Sequence, residues 1–419
     1  MPWVARLLSS NGFLKTKRAF FAAKRHLQNK EKTLDVYLSI SDPYSYLLIQ
    51  VLPTLIERLH VKAKIIIVRD KQPEMFPKEN QWQTNATNDA RHLAKLYQLT
   101  YPINPPAALD IDVINHYTVQ LLKAANNIDR CQTLFDQYWH NEPISHRIAL
   151  DATQHATLLD NQKRQQKQGH YSSAMIYFEG EWYWGLDRLI HLEHRLAVHQ
   201  ASANLFNRQN NGFLQRAPHA NSLGQTITMY YSARSPYSYL GLEKAVKLCR
   251  QHQCRLEIKP VLPMLMRGLQ VPHAKKMYIF NDTRREAELA DIPYGYVADP
   301  LGKAVENCYA LFDYACEQNK EIDFLLSFGR AVNSQGMDAS SSHGIRKIVE
   351  RCGLDWEKAQ PLLETTHWHH WAEQNQQALS ELGLWGVPCF QYRDLVTWGQ
   401  DRLWLIEQAL QNQTTVWRN

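Results

Sequence analysis

Two short motifs each occur twice in this chain, in the same order. Ser235-Pro236-Tyr237-Ser238-Tyr239-Leu240 repeats Asp42-Pro43-Tyr44-Ser45-Tyr46-Leu47 at an offset of 193, and Trp398-Gly399-Gln400-Asp401-Arg402-Leu403 repeats Trp184-Gly185-Leu186-Asp187-Arg188-Leu189 at an offset of 214. Matches in one order mark an internal duplication. Whatever the unit is, the chain must fold it twice. The second copy is 21 residues longer between its motifs. Length agrees, because 419 residues exceed what one core holds and a prior of roughly 150 residues per domain suggests two or three.

Within the first copy, Leu34 to Ile40 alternates as a strand and runs into the first motif, after which Leu48, Val51, Leu52, Leu55 and Leu59 keep helical spacing. Ala63 to Val68 reads as a second strand. A long polar and helical region follows, with apolar periodicity from Val113 to Ala125 and from Cys131 to Trp139. Met175–Phe178 and Trp182–Trp184 then read as a hairpin about Glu179-Gly180-Glu181, and Asp187 to Leu196 as a closing helix. Residues 197–224, rich in Asn, Gln, Ser and Gly with Pro218, read as a linker. After them the order begins again: a strand at Thr226–Tyr231, the second motif, a strand at Leu256–Leu262 and a helical insertion from about Met264 to Leu384.

The second copy closes on Trp385-Gly386-Val387-Pro388-Cys389-Phe390. A residue before proline is pushed out of the helical region, so the Val387 peptide groups are left to pair with something else, a ligand being one candidate. Pro388–Tyr392 and Leu395–Trp398 read as two strands about a tight turn at Arg393-Asp394. Asp401 is placed to open a last helix by accepting its free N–H groups. The resulting division is a basic N-terminal segment 1–32, a first domain 33–196, the linker 197–224 and a second domain 225–412.

The formal net charge of +6 is spread along the chain, without the dense Lys/Arg and aromatic interleaving of a nucleic-acid groove. Apolar runs are interrupted at Asp42, Pro43 and Pro53, or at Arg234 and Pro236, too early to span a bilayer. The seven cysteines are odd in number and none forms Cys-x-x-Cys, which argues against a disulfide framework and a dithiol redox centre. Reduced thiols in a cytoplasmic protein are the simplest reading. Residues 1–32 carry Arg6, Lys15, Lys17, Arg18, Lys24, Arg25, Lys30 and Lys32 against the single acid Glu31, with Leu and Phe between them. Such a segment suits an anionic membrane surface, an organelle transit peptide, or a basic helix packed on the body of the protein.

With both motifs in place, the second half resembles the kappa-class glutathione transferases and the 2-hydroxychromene-2-carboxylate isomerases, relatives within the DsbA-like thioredoxin superfamily. The resemblance runs from about 226 to 411 through Ser-Pro-Tyr-Ser-Tyr-Leu-Gly (235–241), the region of Asp282 to Ala287, Gly-Leu-Trp-Gly-Val-Pro (383–388) and Trp-Gly-Gln-Asp-Arg-Leu (398–403). More loosely it covers about 34 to 196. It implies an α/β chain of two tandem thioredoxin-like (DsbA-like) domains, each with a helical insertion and the second with a cis proline at Pro388.

It further implies glutathione as cofactor, with its sulfur held by Ser235, its peptide paired by the Val387 backbone ahead of Pro388, and its γ-glutamyl end bound at Gln400 and Asp401. A hydroxyl donor at a positive helix end favours thiolate over thiol, which fits Ser235. The implied activity is isomerisation or transfer on an electrophilic, aromatic or conjugated small molecule. The alternatives are a non-catalytic binding or assembly protein, or a DsbA-like oxidoreductase relative without its Cys-x-x-Cys. The family's glutathione-contacting asparagine has no convincing match near Gly268-Leu269-Gln270, while Lys275 or Lys276 is placed to face the glycine carboxylate. In the first copy Asp42 stands for the serine, Ser172-Ser173-Ala174 for Gly386-Val387-Pro388, and Leu186 for Gln400. A carboxylate at 42 repels a thiolate, so that copy reads as degenerate.

Two other features are set aside on spacing. His367 and His370 lie on one helical face with Glu364 and Glu373 beyond them, yet an i, i+3 stripe drifts around the helix and cannot bring all four onto one ion. Cys389 lacks a second cysteine at the helix start and reads as a buried small residue.

Overall fold

The structure, a computed structural model, describes residues 2–69, 74–106, 110–196, 206, 213–214 and 222–411. Most of the linker expected at 197–224 lies outside them, as does residue 412. The chain forms two compact units, one gathering 15–211 with 272–278 and the other 1–14 with 212–271 and 279–419.

The basic N-terminal segment is two helices, α1 (Pro2–Ser9) and α2 (Asn11–Leu27), where the sequence suggested one. The break is at Ser10, whose Oγ accepts the Phe13 N–H and starts a second helix. In the C-terminal unit, Ser9 Oγ donates to the Gly295 carbonyl at 3.0 Å and the Trp3 ring lies 5.2 Å from that of Tyr296. In the N-terminal unit, Lys17 donates to the Gly180 carbonyl, Arg18 grips Glu181 through two bonds of 2.7 and 2.9 Å, and Arg25 pairs with Glu179. The acids of one turn thus neutralise the middle of the basic segment.

The N-terminal unit is built on a four-stranded sheet of order β2-β1-β3-β4. Strand β1 (Thr33–Leu38) is parallel to β2 (Lys62–Ile67) and antiparallel to β3 (Met175–Phe178), which pairs antiparallel with β4 (Glu181–Trp184). Helix α3 (Pro43–Leu59) is capped by Asp42 and has proline in its first turn, where the missing N–H costs nothing. Its length is buried by Tyr46, Leu47, Leu48, Val51, Leu52 and Leu55. The insertion between β2 and β3 supplies α4 (Glu79–Tyr97), α5 (Ile111–Ala124), α6 (Ile128–Trp139) and α7 (Ala152–Lys167), and α8 (Leu189–Leu196) closes the unit.

The C-terminal unit has the same plan: order β6-β5-β7-β8, with β5 (Thr226–Tyr231) parallel to β6 (Arg255–Pro260) and antiparallel to β7 (Cys389–Tyr392), and β7 antiparallel to β8 (Leu395–Trp398). Helix α9 (Pro236–His252) stands where α3 stands in the other sheet. The longer insertion runs through a 3-10 turn at Met264–Arg267 and then α10 (His273–Leu289), α11 (Lys303–Ala310), α12 (Phe312–Glu317), α13 (Glu321–Ser334), α14 (Ser342–Arg351), α15 (Trp356–Ala359) and α16 (Trp368–Glu381). After β8 come a 3-10 turn at Gln400–Arg402 and α17 (Leu403–Gln411). Asp401 therefore sits inside the tight turn just ahead of the last helix, two residues before the first residue of α17. Among the described residues, no helix is long and apolar enough to cross a membrane.

Candidate functional site

The site is assembled where β5 ends and α9 begins. Ser235 occupies the N-cap in extended backbone, and its Oγ accepts the Ser238 N–H at 3.1 Å. Among the described residues nothing accepts the Ser235 hydroxyl proton, and the side chain is half-buried. Behind it, Ser238 Oγ accepts the Ser232 N–H at 3.3 Å and fixes the loop. Arg234 is turned outward and gripped by Asp299 through two bonds of 2.7 Å. Because α9 runs for 17 residues, its unsatisfied N–H groups place a partial positive charge at Ser235.

The other wall is the Val387-Pro388 peptide, which is cis. Tyr230 is the register partner of Cys389. That pair is the last of the register, so Val387 and Ser235 both lie in the loops that leave the sheet at the same end. From the helix side, a Cβ built on Gly241 would lie 3.3 Å from Pro388 Cγ and 3.1 Å from Phe390 Cζ, so α9 packs tightly against the cis turn here and a larger residue would need those side chains to give by a few tenths of an ångström. Among the described residues neither the N–H nor the C=O of Val387 has a hydrogen-bond partner, and the residue is half-buried while Pro388 is buried. Buried or half-buried backbone groups are rarely left this way unless something else pairs with them.

Gly386 holds the cis turn against β8. A Cβ there would meet Trp398 Cζ2 at 2.5 Å, and Trp398 is itself edge-on to Trp385. Gly386→Ala is expected to push the indole aside at a cost of about 1–3 kcal/mol, as overpacking does. A lowered midpoint of thermal unfolding would show it, and an unchanged one would mean that the indole moves freely.

Gln400 and Asp401 lie in the 3-10 turn after β8. Gln400 is only 2% exposed. Its amide oxygen accepts from Lys244 of α9, and its nitrogen donates to Glu286 of α10 at 2.9 Å and to Asp401 Oδ1. Direct ligand contact by its side chain is therefore closed off, and Gln400 instead orients the half-buried Asp401 carboxylate. Alongside, Tyr237 donates to Asp282 Oδ2 and Arg285 to Asp282 Oδ1, both at 2.7 Å, so the buried face of α10 is a charged network behind the site. Periodicity could not find that network, since its members come from two separate helices and a turn.

The equivalent place in the N-terminal unit is closed by its own side chains. Asp42 is 1% exposed. Its carboxylate accepts the Ser45 hydroxyl at 2.7 Å, the Ser173 hydroxyl at 2.7 Å and the Tyr44 N–H at 3.2 Å. Ser173 stands at the position of Val387. Ala174, in place of Pro388, keeps its N–H and donates it to Ser45 Oγ at 3.1 Å. A proline cannot make that bond.

Other residues singled out in the sequence lie elsewhere. Cys389 is fully buried, its thiol donates to the Gly386 carbonyl at 2.9 Å, and burial pushes it well above the usual thiol range. Lys275 belongs to the N-terminal unit, donates to the Met75 carbonyl at 2.8 Å and is lowered to about 8 by burial. His367 bonds Asp313 at 3.2 Å, and Trp368 is buried. Among the described residues no group of three or more His, Cys, Asp or Glu is placed to hold a metal ion.

Similarity to known proteins extends over a little under half of the chain. The profile of the DSBA-like thioredoxin domain matches residues 226–411. A 2-hydroxychromene-2-carboxylate isomerase of Sphingobium xenophagum is 25% identical over 194 residues, covering 44% of this chain and 98% of the relative. A solved 2-hydroxychromene-2-carboxylate isomerase (HCCA isomerase) is 22% identical, covers 44% of this chain and 94% of its own, and has a TM-score of 0.39. The cytosolic disulfide reductase DsbM from Pseudomonas aeruginosa, solved with GSH, is 14% identical over 45% of this chain and 100% of its own, with a TM-score of 0.36. Over residues 226–411, a little under half of its length, the chain is similar to the DSBA-like thioredoxin domain.

Proposed function

We propose that the C-terminal domain binds glutathione between Ser235 and Val387 and serves glutathione-dependent isomerisation or transfer on an electrophilic, aromatic or conjugated substrate. The observation carrying this reading is the contrast between the two copies. In one, nothing among the described residues accepts the Ser235 hydroxyl proton, and in the other the same place is taken by the Asp42 carboxylate, which accepts the Ser45 and Ser173 hydroxyls. The isomerase of Sphingobium xenophagum, matched over nearly its whole length, supports the reaction class.

Ser235 would donate its hydroxyl proton to a sulfur already favoured as thiolate by the end of α9. The Val387 N–H and C=O would pair with a peptide in extended form, and Asp401, oriented by Gln400, would take an ammonium group. Bound there, glutathione supplies the thiolate that adds to the substrate and, for an isomerase, leaves again after bond rotation. The internal repeat is read as a duplication whose first copy lost the slot and whose second kept it. Seven unpaired cysteines accord with a reducing, cytoplasmic setting.

Calorimetry with glutathione tests the proposal. Binding is expected, and Ser235→Ala is expected to weaken it or to abolish the ultraviolet absorbance of the bound thiolate. A hydrogen bond to a charged group is worth about 1.5–3 kcal/mol, so the loss should be roughly tenfold to a hundredfold. No heat at millimolar glutathione overturns the reading in favour of a non-catalytic binding protein. That second reading is favoured by one observation, the enclosure of the Gln400 amide within the fold.

A further inference from the structure

Helix α9 ends in a fold-back turn. Gln253 is left-handed (φ 53°), and the Cys249 carbonyl accepts both the Gln253 N–H and, at 3.1 Å, the Cys254 N–H. Such a helix stop brings the residue after the left-handed one back over the residue five earlier, where the two side chains make contact. The N-terminal unit shows what that contact is for. Its α3 stops in the same way, with His60 left-handed (φ 49°) and the Val61 N–H on the Ile56 carbonyl, and there an apolar pair, Ile56 and Val61, holds the end of the helix.

In the C-terminal unit the same two positions are cysteines, set side by side by the bond from the Cys254 N–H to the Cys249 carbonyl. Cys249 is 6% exposed and Cys254 is half-buried. A disulfide requires Cα atoms about 4.4–6.8 Å apart. Residues joined by a backbone bond from the N of one to the O of the other lie within that reach.

We propose that Cys249 and Cys254 form a reversible disulfide site, with Cys254 as the thiol that reacts first and Cys249 as the one that resolves. The assignment follows exposure and charge. The neighbouring Cys254 thiol and then burial raise Cys249, while proximity to Cys249 lowers the more exposed Cys254 below the usual thiol range. The oxidant is a small-molecule disulfide. Cys254 thiolate attacks one sulfur of glutathione disulfide, forming a mixed disulfide and releasing one glutathione thiolate. Cys249 then gives up its proton and attacks the Cys254 sulfur, forming the intramolecular bond and expelling the second glutathione thiolate. Two protein thiols are oxidised and one disulfide is reduced to two thiols. This chemistry sits at the opposite end of α9 from Ser235 and does not depend on glutathione binding there.

Trypsin separates the two cysteines, because cleavage after Lys247, Arg250 and Arg255 leaves them on Leu248-Cys249-Arg250 and on residues 251–255. The full chain, treated with glutathione disulfide, alkylated and digested, is expected to yield these two peptides linked, lighter than their sum by the two thiol hydrogens. Dithiothreitol should separate them again, and alkylation of Cys254 should fall roughly tenfold or more on oxidation. In Cys249→Ser, Cys254 is expected to retain one bound glutathione, because nothing resolves it. Cys316, exposed, serves as the internal control for an isolated thiol. The proposal is overturned if both cysteines alkylate as before while Cys316 gains glutathione, or if wild-type Cys254 retains glutathione as the Cys249→Ser protein does.

Discussion

Replacing Glu407 by alanine is expected to lower the stability of the C-terminal unit by about 2–6 kcal/mol, the cost of leaving the two donors it accepts from unsatisfied. Glu407 lies on α17, is 1% exposed and faces His252 at the last turn of α9, which is fully buried. The carboxylate accepts the His252 Nε2–H at 3.0 Å and the Leu214 N–H at 3.1 Å. Truncation strands both donors away from water, each worth about 1–3 kcal/mol when left unsatisfied. Glu407→Gln, which keeps an acceptor of the same shape, should cost about 1 kcal/mol, near the worth of an ordinary hydrogen bond. Urea unfolding followed by tryptophan fluorescence measures both, and equal midpoints for alanine and glutamine would refute the assignment. The N-terminal unit has a counterpart in Glu193 on α8, paired with Arg58 at 2.6 Å. A buried acid thus ties the closing helix to the central one in each copy.

The second large effect is expected from importing the first copy's residue into the second. Ser235→Asp should reduce glutathione affinity, and any glutathione-dependent turnover, by roughly a hundredfold or more, beyond the effect of Ser235→Ala. It removes a hydrogen bond to the thiolate worth about 1.5–3 kcal/mol. It also sets a like charge where the negative sulfur would sit, which at an effective dielectric of about 20 and a separation of about 4 Å costs roughly 4 kcal/mol before solvent screening. The fold should tolerate the change, since aspartate caps helices as well as serine does and Asp42 caps α3 in this same chain. Circular dichroism and thermal midpoint close to wild type, with glutathione heat lost, is the expected pair of results. Affinity retained in the aspartate variant would mean that no thiolate is held at this helix end.

Much of this protein was legible one-dimensionally. The order of strands and helices in the two halves and the hairpins after Val387 and after Ala174 follow from local signals, namely apolar period and turn residues, whereas the cis proline was implied by the family resemblance. Those signals act over a few residues, so they survive without a partner in view. Element ends were less secure. Asp401 reads as a cap and turns out to lie within a 3-10 turn, because Gln400 and Asp401 bond each other and the chain tightens before α17 begins.

Which groups are used up and which are left over was decided only by tertiary structure. Ser173 reaches Asp42 across 131 residues of chain and Glu286 reaches Gln400 across 114. No periodicity encodes such pairings, because a hydrogen bond is satisfied by whatever the fold brings within about 3 Å, however distant in sequence. The sequence, through its family resemblance, named Ser235 and Val387 and set Asp42 and Ser173 apart from them, and the three-dimensional arrangement showed that the Asp42 carboxylate is taken up by the Ser45 and Ser173 hydroxyls. It likewise turned two cysteines, unremarked among seven, into a facing pair at the end of a helix.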